Sequence, residues 1–195
     1  MRFAAFYSRL AEKPPQTFVE VDLLAEIVNE CHAGVGKVSF SYFPNFPGAQ
    51  WGSFIWLEEQ RSSPYEEAFH DAMIFINSEF VNDVPMRRIV AAKELMHVFD
   101  DSDRRAGTPE TFRRLVSDIA NNPLLEDASE PYKADRAALW KAMVSLVPPW
   151  IRVQAEGSTE SPEFWAARWQ VPLPTIDAVM GEYYPHMVSR FTGSD

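Results

Sequence analysis

The sequence predicts an α+β fold: a small sheet of three or slightly more strands packed on one helix, followed by a helical C-terminal half. Three observations lead there. Strand-like runs cluster between residues 37 and 77. Every later periodic segment repeats at three- and four-residue steps. Strands grouped ahead of a run of helices argue for α+β and against a doubly wound sheet.

Taken in order, residues 1–10 are short and mixed, and Lys13-Pro14-Pro15 breaks the chain. Phe18 to Cys31 predicts a helix with Val21, Leu24, Ala25, Val28 and Cys31 on its apolar face, ended by Gly34 as a left-handed cap and by Gly36. Lys37 to Phe43 alternates, which places Val38, Phe40 and Tyr42 on one face of a strand. Pro44 to Gly48 is a turn cluster, and Trp51 to Leu57 is a second strand. Ala72 to Asn77 is apolar at nearly every position, as a central strand would be. Asp83-Val84-Pro85 opens a helix spanning Arg88 to Asp101, with the proline in the first turn, where its missing N–H costs nothing.

Thr108-Pro109-Glu110 starts another helix with Phe112, Leu115, Val116 and Ile119 on its apolar face, stopped by Asn121-Asn122-Pro123. An acidic loop covers residues 124–133. Ala134 to Val147 is a helix ended by Pro148-Pro149. Ser161-Pro162-Glu163 caps a helix carrying Phe164, Trp165, Ala167 and Trp169, which Pro172 and Pro174 interrupt. A last helix is expected from about Thr175 to Tyr184, ended by Pro185. The break at Glu156 to Glu160 divides the chain into a main domain, residues 1–155, and a C-terminal helical extension, residues 156–195, packed on it as one structural unit.

Composition narrows the function. With 28 acidic and 18 basic residues the net charge is −10, which argues against direct binding to a nucleic-acid backbone. The only clustered bases, Arg104, Arg105, Arg113 and Arg114, read as a solvated helix face. The single cysteine, Cys31, permits no internal disulfide and no cysteine-based zinc site. Arg9 and Glu12 interrupt the N-terminus before any long apolar run, and no stretch reaches the ~20 apolar residues of a membrane span. A cytoplasmic location is expected. No phosphate-cradling glycine loop, nucleophile elbow or dinucleotide fingerprint is present.

The helix from Arg88 carries Lys93, Glu94 and His97 in the order K-E-L-M-H, one letter from H-E-x-x-H. In the intact motif two histidines one turn apart grip a zinc ion, and the glutamate polarises a metal-bound water. Here lysine replaces the first histidine. An ammonium is a poor ligand, since it must lose its proton to bind metal and Glu94 favours the charged form. Its charge and volume instead match what the metal would supply, so Lys93 is expected to pair with Glu94 and with Asp100 or Asp101.

Three segments together resemble the ImmA/IrrE-like metallopeptidases, a zincin family. The first is Ile74-Phe75-Ile76-Asn77 followed by Arg88, Ala92, Glu94 and His97, similar to the family's I-x-I-N strand and R-F-T-x-A-H-E-x-x-H helix. The second is Ala137 to Pro148, similar to E-A-x-x-F-A-x-x-L-L-M-P, with Ala138, Ala142, Leu146 and Pro148 in register and Ala137 at the position of the third ligand. The third is Phe164 to Val171, similar to L-A-x-x-F-x-V-S. The resemblance implies a zincin-like fold, Glu94 as former general base, His97 as the one surviving ligand, and Lys93 and Ala137 as lost ligand positions. It also implies a protein partner of the helix-turn-helix repressor class.

With two ligands lost, the reading is a catalytically decayed member without a cofactor, acting as a binding or regulatory protein. The alternative is an active, zinc-dependent endopeptidase that cleaves a repressor with ligands recruited from His70, Asp100, Asp101 or Asp135. Asp135 reaches the site only if the alignment slips or the helix start is irregular. His32 and His186 lie far from the motif in sequence and read as structural. A third possibility is an unrelated fold in which the K-E-L-M-H match is accidental.

Overall fold

The computed structural model describes residues 2–14, 17–44, 51–60, 69–100 and 130–193. Asp101, the four clustered arginines and the expected helix from Thr108 lie outside these residues, as does most of the acidic loop. Within them the chain is mixed α+β, with a three-stranded sheet and a mostly helical C-terminal half.

The first described element is α1 (Phe3–Ala11), where the sequence reads as short and mixed. Phe3, Phe6, Tyr7 and Leu10 recur at three- and four-residue steps and are all buried. The helix lacks a side-chain N-cap, so no boundary signal accompanies that pattern. α2 (Val21–Cys31) follows and ends at an extended His32 (φ −95°, ψ 99°), not at a left-handed Gly34. Gly36 belongs to the first strand, where a Cβ would come within 2.5 Å of the Phe69 ring and 2.6 Å of Asp71 Oδ1. Crowding, not backbone handedness, requires glycine there.

β1 (Val35–Phe43), β2 (Gly52–Gln60) and β3 (Phe69–Asn77) form the sheet in the order β1-β3-β2. β3 is central, parallel to β1 and antiparallel to β2. Although β3 is apolar from Ala72 to Ile76, Ala72, Ile74 and Ile76 are buried and Met73 and Phe75 between them are only half-buried. The covered face belongs to one side of the pleat. Burial also fades along β1, from Val38 through half-buried Phe40 to exposed Tyr42.

Asp83 caps α3 (Val84–Met96) by accepting a hydrogen bond from the Met86 N–H at 3.1 Å, with Pro85 in the first turn as the sequence predicts. The helix touches β2 and β3 and lies against α4 (Glu130–Leu146). Every residue from Arg88 to Met96 is buried. A helix enclosed all round is normally apolar. This one carries charges, which therefore need partners inside the protein. The expected single helix to Asp101 instead ends at Met96 and tightens into a 3-10 turn, His97–Phe99. The i, i+3 pair His97–Asp100 suits that tighter winding, in which such residues eclipse.

After Pro148 come α5 (Pro149–Arg152) and α6 (Pro162–Trp169), the latter capped by the Ser161 hydroxyl. α6 ends at Gln170 in the left-handed region (φ 52°), with Val171 N–H donating to the Ala166 carbonyl. The helix expected from about Thr175 to Tyr184 is α7 (Leu173–Met180), and a further helix, α8 (Tyr184–Thr192), follows it. Pro185 does not stop a helix; it stands in the first turn of α8, where a proline is tolerated.

The C-terminal helices dock on the rest of the chain. Tyr184 donates its hydroxyl to the Val147 carbonyl, and Arg152 Nε donates to the Val179 carbonyl at 2.8 Å. Arg88 spans the molecule: it donates to the Val19 carbonyl (2.6 Å), to Glu20 Oε2 (3.0 Å) and to the Gln170 carbonyl (3.1 Å). Among the described residues, no helix is long and apolar enough to cross a membrane.

Candidate functional site

The charges that α3 buries meet those of α4 in one cluster. Lys93 Nζ lies 3.0 Å from Glu94 Oε1 and 3.0 Å from Asp135 Oδ1. His97 Nε2 lies 3.3 Å from Asp135 Oδ1 and 3.9 Å from Glu94 Oε2. On the other side of the imidazole, Nδ1 meets Asp100 Oδ2 at 2.6 Å. Asp100 Oδ1 in turn accepts from Lys141 Nζ at 3.0 Å. Lys93, Glu94 and His97 are each 4% exposed and Asp135 2%, so neither bulk water nor a peptide chain reaches the groups as they stand.

Side-chain geometry explains the convergence. Lys93, in the last turn of α3, and His97, its C-cap residue in helical conformation, stand one turn apart and meet the same carboxylates, Glu94 and Asp135. Asp135 and Ala138 share a face of α4 at i, i+3, and Ala142 lies a further turn along that stripe. The roof is β2: a Cβ on Gly52 would come within 2.7 Å of Val90 Cγ1 and 2.8 Å of Glu94 Cγ. Only glycine lets the strand close so tightly over Glu94.

Electrostatically, the cluster balances. Three carboxylates (Glu94, Asp100, Asp135) face two ammonium groups (Lys93, Lys141) and one imidazole. Burial opposes the charge on Lys93, but Glu94 and Asp135 outweigh it and hold its pKa above the ordinary lysine value. Burial likewise opposes the charge on His97, and the hydrogen bond with Asp100, the nearby Asp135 carboxylate and the field of Glu94 reverse the balance, raising its pKa. Asp100 is held below the ordinary carboxylate value: burial works against ionisation, and His97 and Lys141 overcome it. A protonated His97 makes the cluster neutral as a whole.

Two atoms remain under-satisfied. His97 Nε2 and Asp135 Oδ1 are fully buried and make no well-aligned hydrogen bond. Asp135 Oδ1 stands at ion-pair distance from both Lys93 and His97, but off the direction a hydrogen bond needs. Coulombic attraction, which has no angular requirement, holds the contact.

The predicted residues are thus partly regrouped. Lys93 pairs with Glu94 as expected, but its second partner is Asp135, reached from a regular helix, and Asp100 is taken by His97 and Lys141. Ala137, the expected third-ligand position, is half-buried and carries no group for such chemistry. His70 sits at the far end of β3 from the site: six residues, or about 20 Å of strand, separate it from Ile76, which pairs with Gly52. Its Nδ1 lies 3.1 Å from the Leu57 carbonyl oxygen. His32, remote in sequence, is close in space, its ring 6.0 Å from that of Phe99. Lys141 and Gly52 were not foreseen. The signal for Lys141 is a lone charge inside the otherwise apolar run from Ala137 to Val144.

These residues do not fit a bound zinc ion. A structural or catalytic zinc takes ligand atoms at about 2.0–2.2 Å and at least three protein donors. The centre of this cage is held by an ammonium at 3.0 Å from its carboxylates. Among the described residues, no three or more His, Cys, Asp or Glu side chains are arranged to hold a metal ion. No family model, curated protein or solved structure matches the chain.

Proposed function

We propose that this chain is a zincin-like protein in which a buried ion cluster has replaced a metal centre, and that it acts as a binding or regulatory protein without peptidase activity. One observation carries the reading: the Lys93 ammonium lies between Glu94 and Asp135, 3.0 Å from each. A carboxylate fixed by a permanent cation and closed off from water is not free to take a proton from an attacking water. The glutamate expected to act as the base is in that condition.

The partner class follows from the family resemblance, which points to a helix-turn-helix repressor. The net charge of −10 suits a protein partner better than nucleic acid. The test is elemental analysis of protein purified without a metal-affinity tag, joined to a binding assay with a co-encoded helix-turn-helix regulator. The reading expects binding without cleavage and less than stoichiometric zinc. Stoichiometric zinc lost on His97→Ala, or chelator-sensitive cleavage of the regulator, refutes it.

The second reading, a working metal-dependent endopeptidase, draws on a reduced set of ligands. His70 is remote, Asp100 is engaged with His97 Nδ1 and Lys141, and Asp101 lies outside the described residues. Asp135 is the one recruited carboxylate that faces His97 Nε2. If that reading holds, Glu94→Gln abolishes cleavage.

A further inference from the structure

Two lysine–carboxylate contacts tie α4 to the chain around α3, and they differ in kind. Lys141 Nζ donates to Asp100 Oδ1 at 3.0 Å, and the other oxygen of Asp100 meets His97 Nδ1 at 2.6 Å. That carboxylate is held by a hydrogen bond on each oxygen. Lys93 Nζ stands equally close to Asp135 Oδ1, at 3.0 Å, but off the direction of a hydrogen bond, which it makes to Glu94 Oε1 at 3.0 Å. A lysine nitrogen thus faces the carboxyl group of one residue with the proton acceptor of another beside it. His97 Nε2 contacts both carboxylates, 3.3 Å from Asp135 Oδ1 and 3.9 Å from Glu94 Oε2. All four side chains are buried.

From this arrangement we infer that Lys93 and Asp135 condense to an intramolecular isopeptide bond, with Glu94 as proton acceptor and His97 as proton donor, and that the ion cluster is the reactant. Glu94 takes a proton from the ammonium, and the freed Nζ attacks Asp135 Cγ while His97 Nε2–H protonates Oδ1. The Cγ–Nζ bond forms and the Cγ–Oδ1 bond breaks. The two protons that nitrogen loses leave on Oδ1 as water, by way of Glu94 and His97, which end as they began. Nothing is oxidised or reduced. Holding the reacting groups in contact is equivalent to an effective concentration of about 10⁵–10⁸ M, and a site closed to bulk water resists the reverse hydrolysis. One cation and one anion are consumed together, so the cluster stays neutral, with Glu94 and Asp100 facing His97 and Lys141. Because Glu94 and Asp135 favour the ammonium, the reactive amine is a minor form and condensation is slow beside folding. The step draws on neither a metal nor the family resemblance. It leaves the Lys93 side chain between Glu94 and Asp135, so it goes beyond the proposed function without replacing it.

The experiment is intact mass spectrometry of the full chain in denaturant, freshly folded and after days at neutral pH, followed by tandem sequencing of its proteolytic peptides. The inference expects the loss of one water per chain and a branched peptide joining the segments that hold Lys93 and Asp135. A sample kept unfolded throughout is expected at full mass. Lys93→Arg keeps the charge without a nucleophilic amine and is also expected at full mass. Glu94→Gln is expected to link at least about a hundredfold more slowly. A folded native chain that keeps its full mass, with Lys93 and Asp135 on separate peptides, overturns the inference, as does a lost water located at any other pair. Linking of Glu94→Gln at the native rate overturns the role given to Glu94. The native-chain measurement decides the matter even if neither variant folds. An unlinked chain leaves the proposed function standing, whereas stoichiometric zinc or cleavage of the regulator refutes that function whatever the mass, so the two failures are distinguishable.

Discussion

Replacing Lys93 by methionine keeps most of the side-chain volume and deletes the charge. Glu94 and Asp135 are then buried without the cation that each meets at 3.0 Å. Removing one partner of a buried ion pair costs about 3–5 kcal/mol, because the remaining charge keeps its desolvation penalty. Against a typical total of about 5–15 kcal/mol, the variant should be marginal but measurable. For a chain of this length the loss corresponds to a fall of about 6–20 °C in unfolding temperature. Asp135→Asn in the same background removes one of the two stranded charges and should restore part of the loss, giving a clear coupling term in a double-mutant cycle. The assay is urea denaturation of native protein, both single variants and the double variant at neutral pH. A loss below about 1 kcal/mol, the level of a solvent-exposed pair, would refute the reasoning, as would strict additivity of the two substitutions.

Other perturbations separate the parts of the site. Gly52→Ala places a methyl group within 2.7 Å of Val90 and 2.8 Å of Glu94; denaturation should show a loss of about 1–3 kcal/mol from overpacking. Because the folded-state pKa of His97 is raised, its contribution to stability is complete below the unfolded value near 6.5 and is lost as pH rises through the folded value; stability measured across that range should decline. Because the pKa of Asp100 is lowered, its contribution is present above about 3.8 and is lost as pH falls through the folded value, which sets the acid limit of the cluster. Asp100→Asn removes the strongest interaction raising the pKa of His97, so an NMR titration should find that pKa lower than in the native protein. Arg88→Lys keeps the charge but cannot reproduce a three-way fork to Val19, Glu20 and Gln170; unfolding should show a loss of about 1–3 kcal/mol.

Much of this arrangement is legible in the chain. The three strands, the central place of β3, and the Asp83-Val84-Pro85 start of α3 follow from local pattern and capping chemistry. The pairing of Lys93 with Glu94 follows from an ammonium beside a carboxylate. Less legible was Asp135, since the register drawn through Ala138, Ala142 and Leu146 directs attention to Ala137. The signal was nonetheless there. Asp135 stands three residues before Ala138 and seven before Ala142, so it falls on the apolar stripe, and a charge on such a stripe needs a buried partner. Tertiary contacts, which local pattern does not encode, decide that the partner is Lys93. The last helix is not legible because a proline marks a helix start as readily as a helix stop, and only the packing of Tyr184 and Met187 shows which applies to Pro185.

Arg88 bears on how the chain could be cut. Its guanidinium grips residues before the sheet and a carbonyl eighty-two positions downstream, beyond the break at residues 156–160. A fragment stopping at residue 155 would lose that acceptor and the Tyr184 hydroxyl that caps the Val147 carbonyl, and would leave the faces that met α6 to α8 bare. Expression of the first 155 residues alone should therefore yield insoluble or molten material, whereas adding back the missing forty as a separate polypeptide should recover the ordered state.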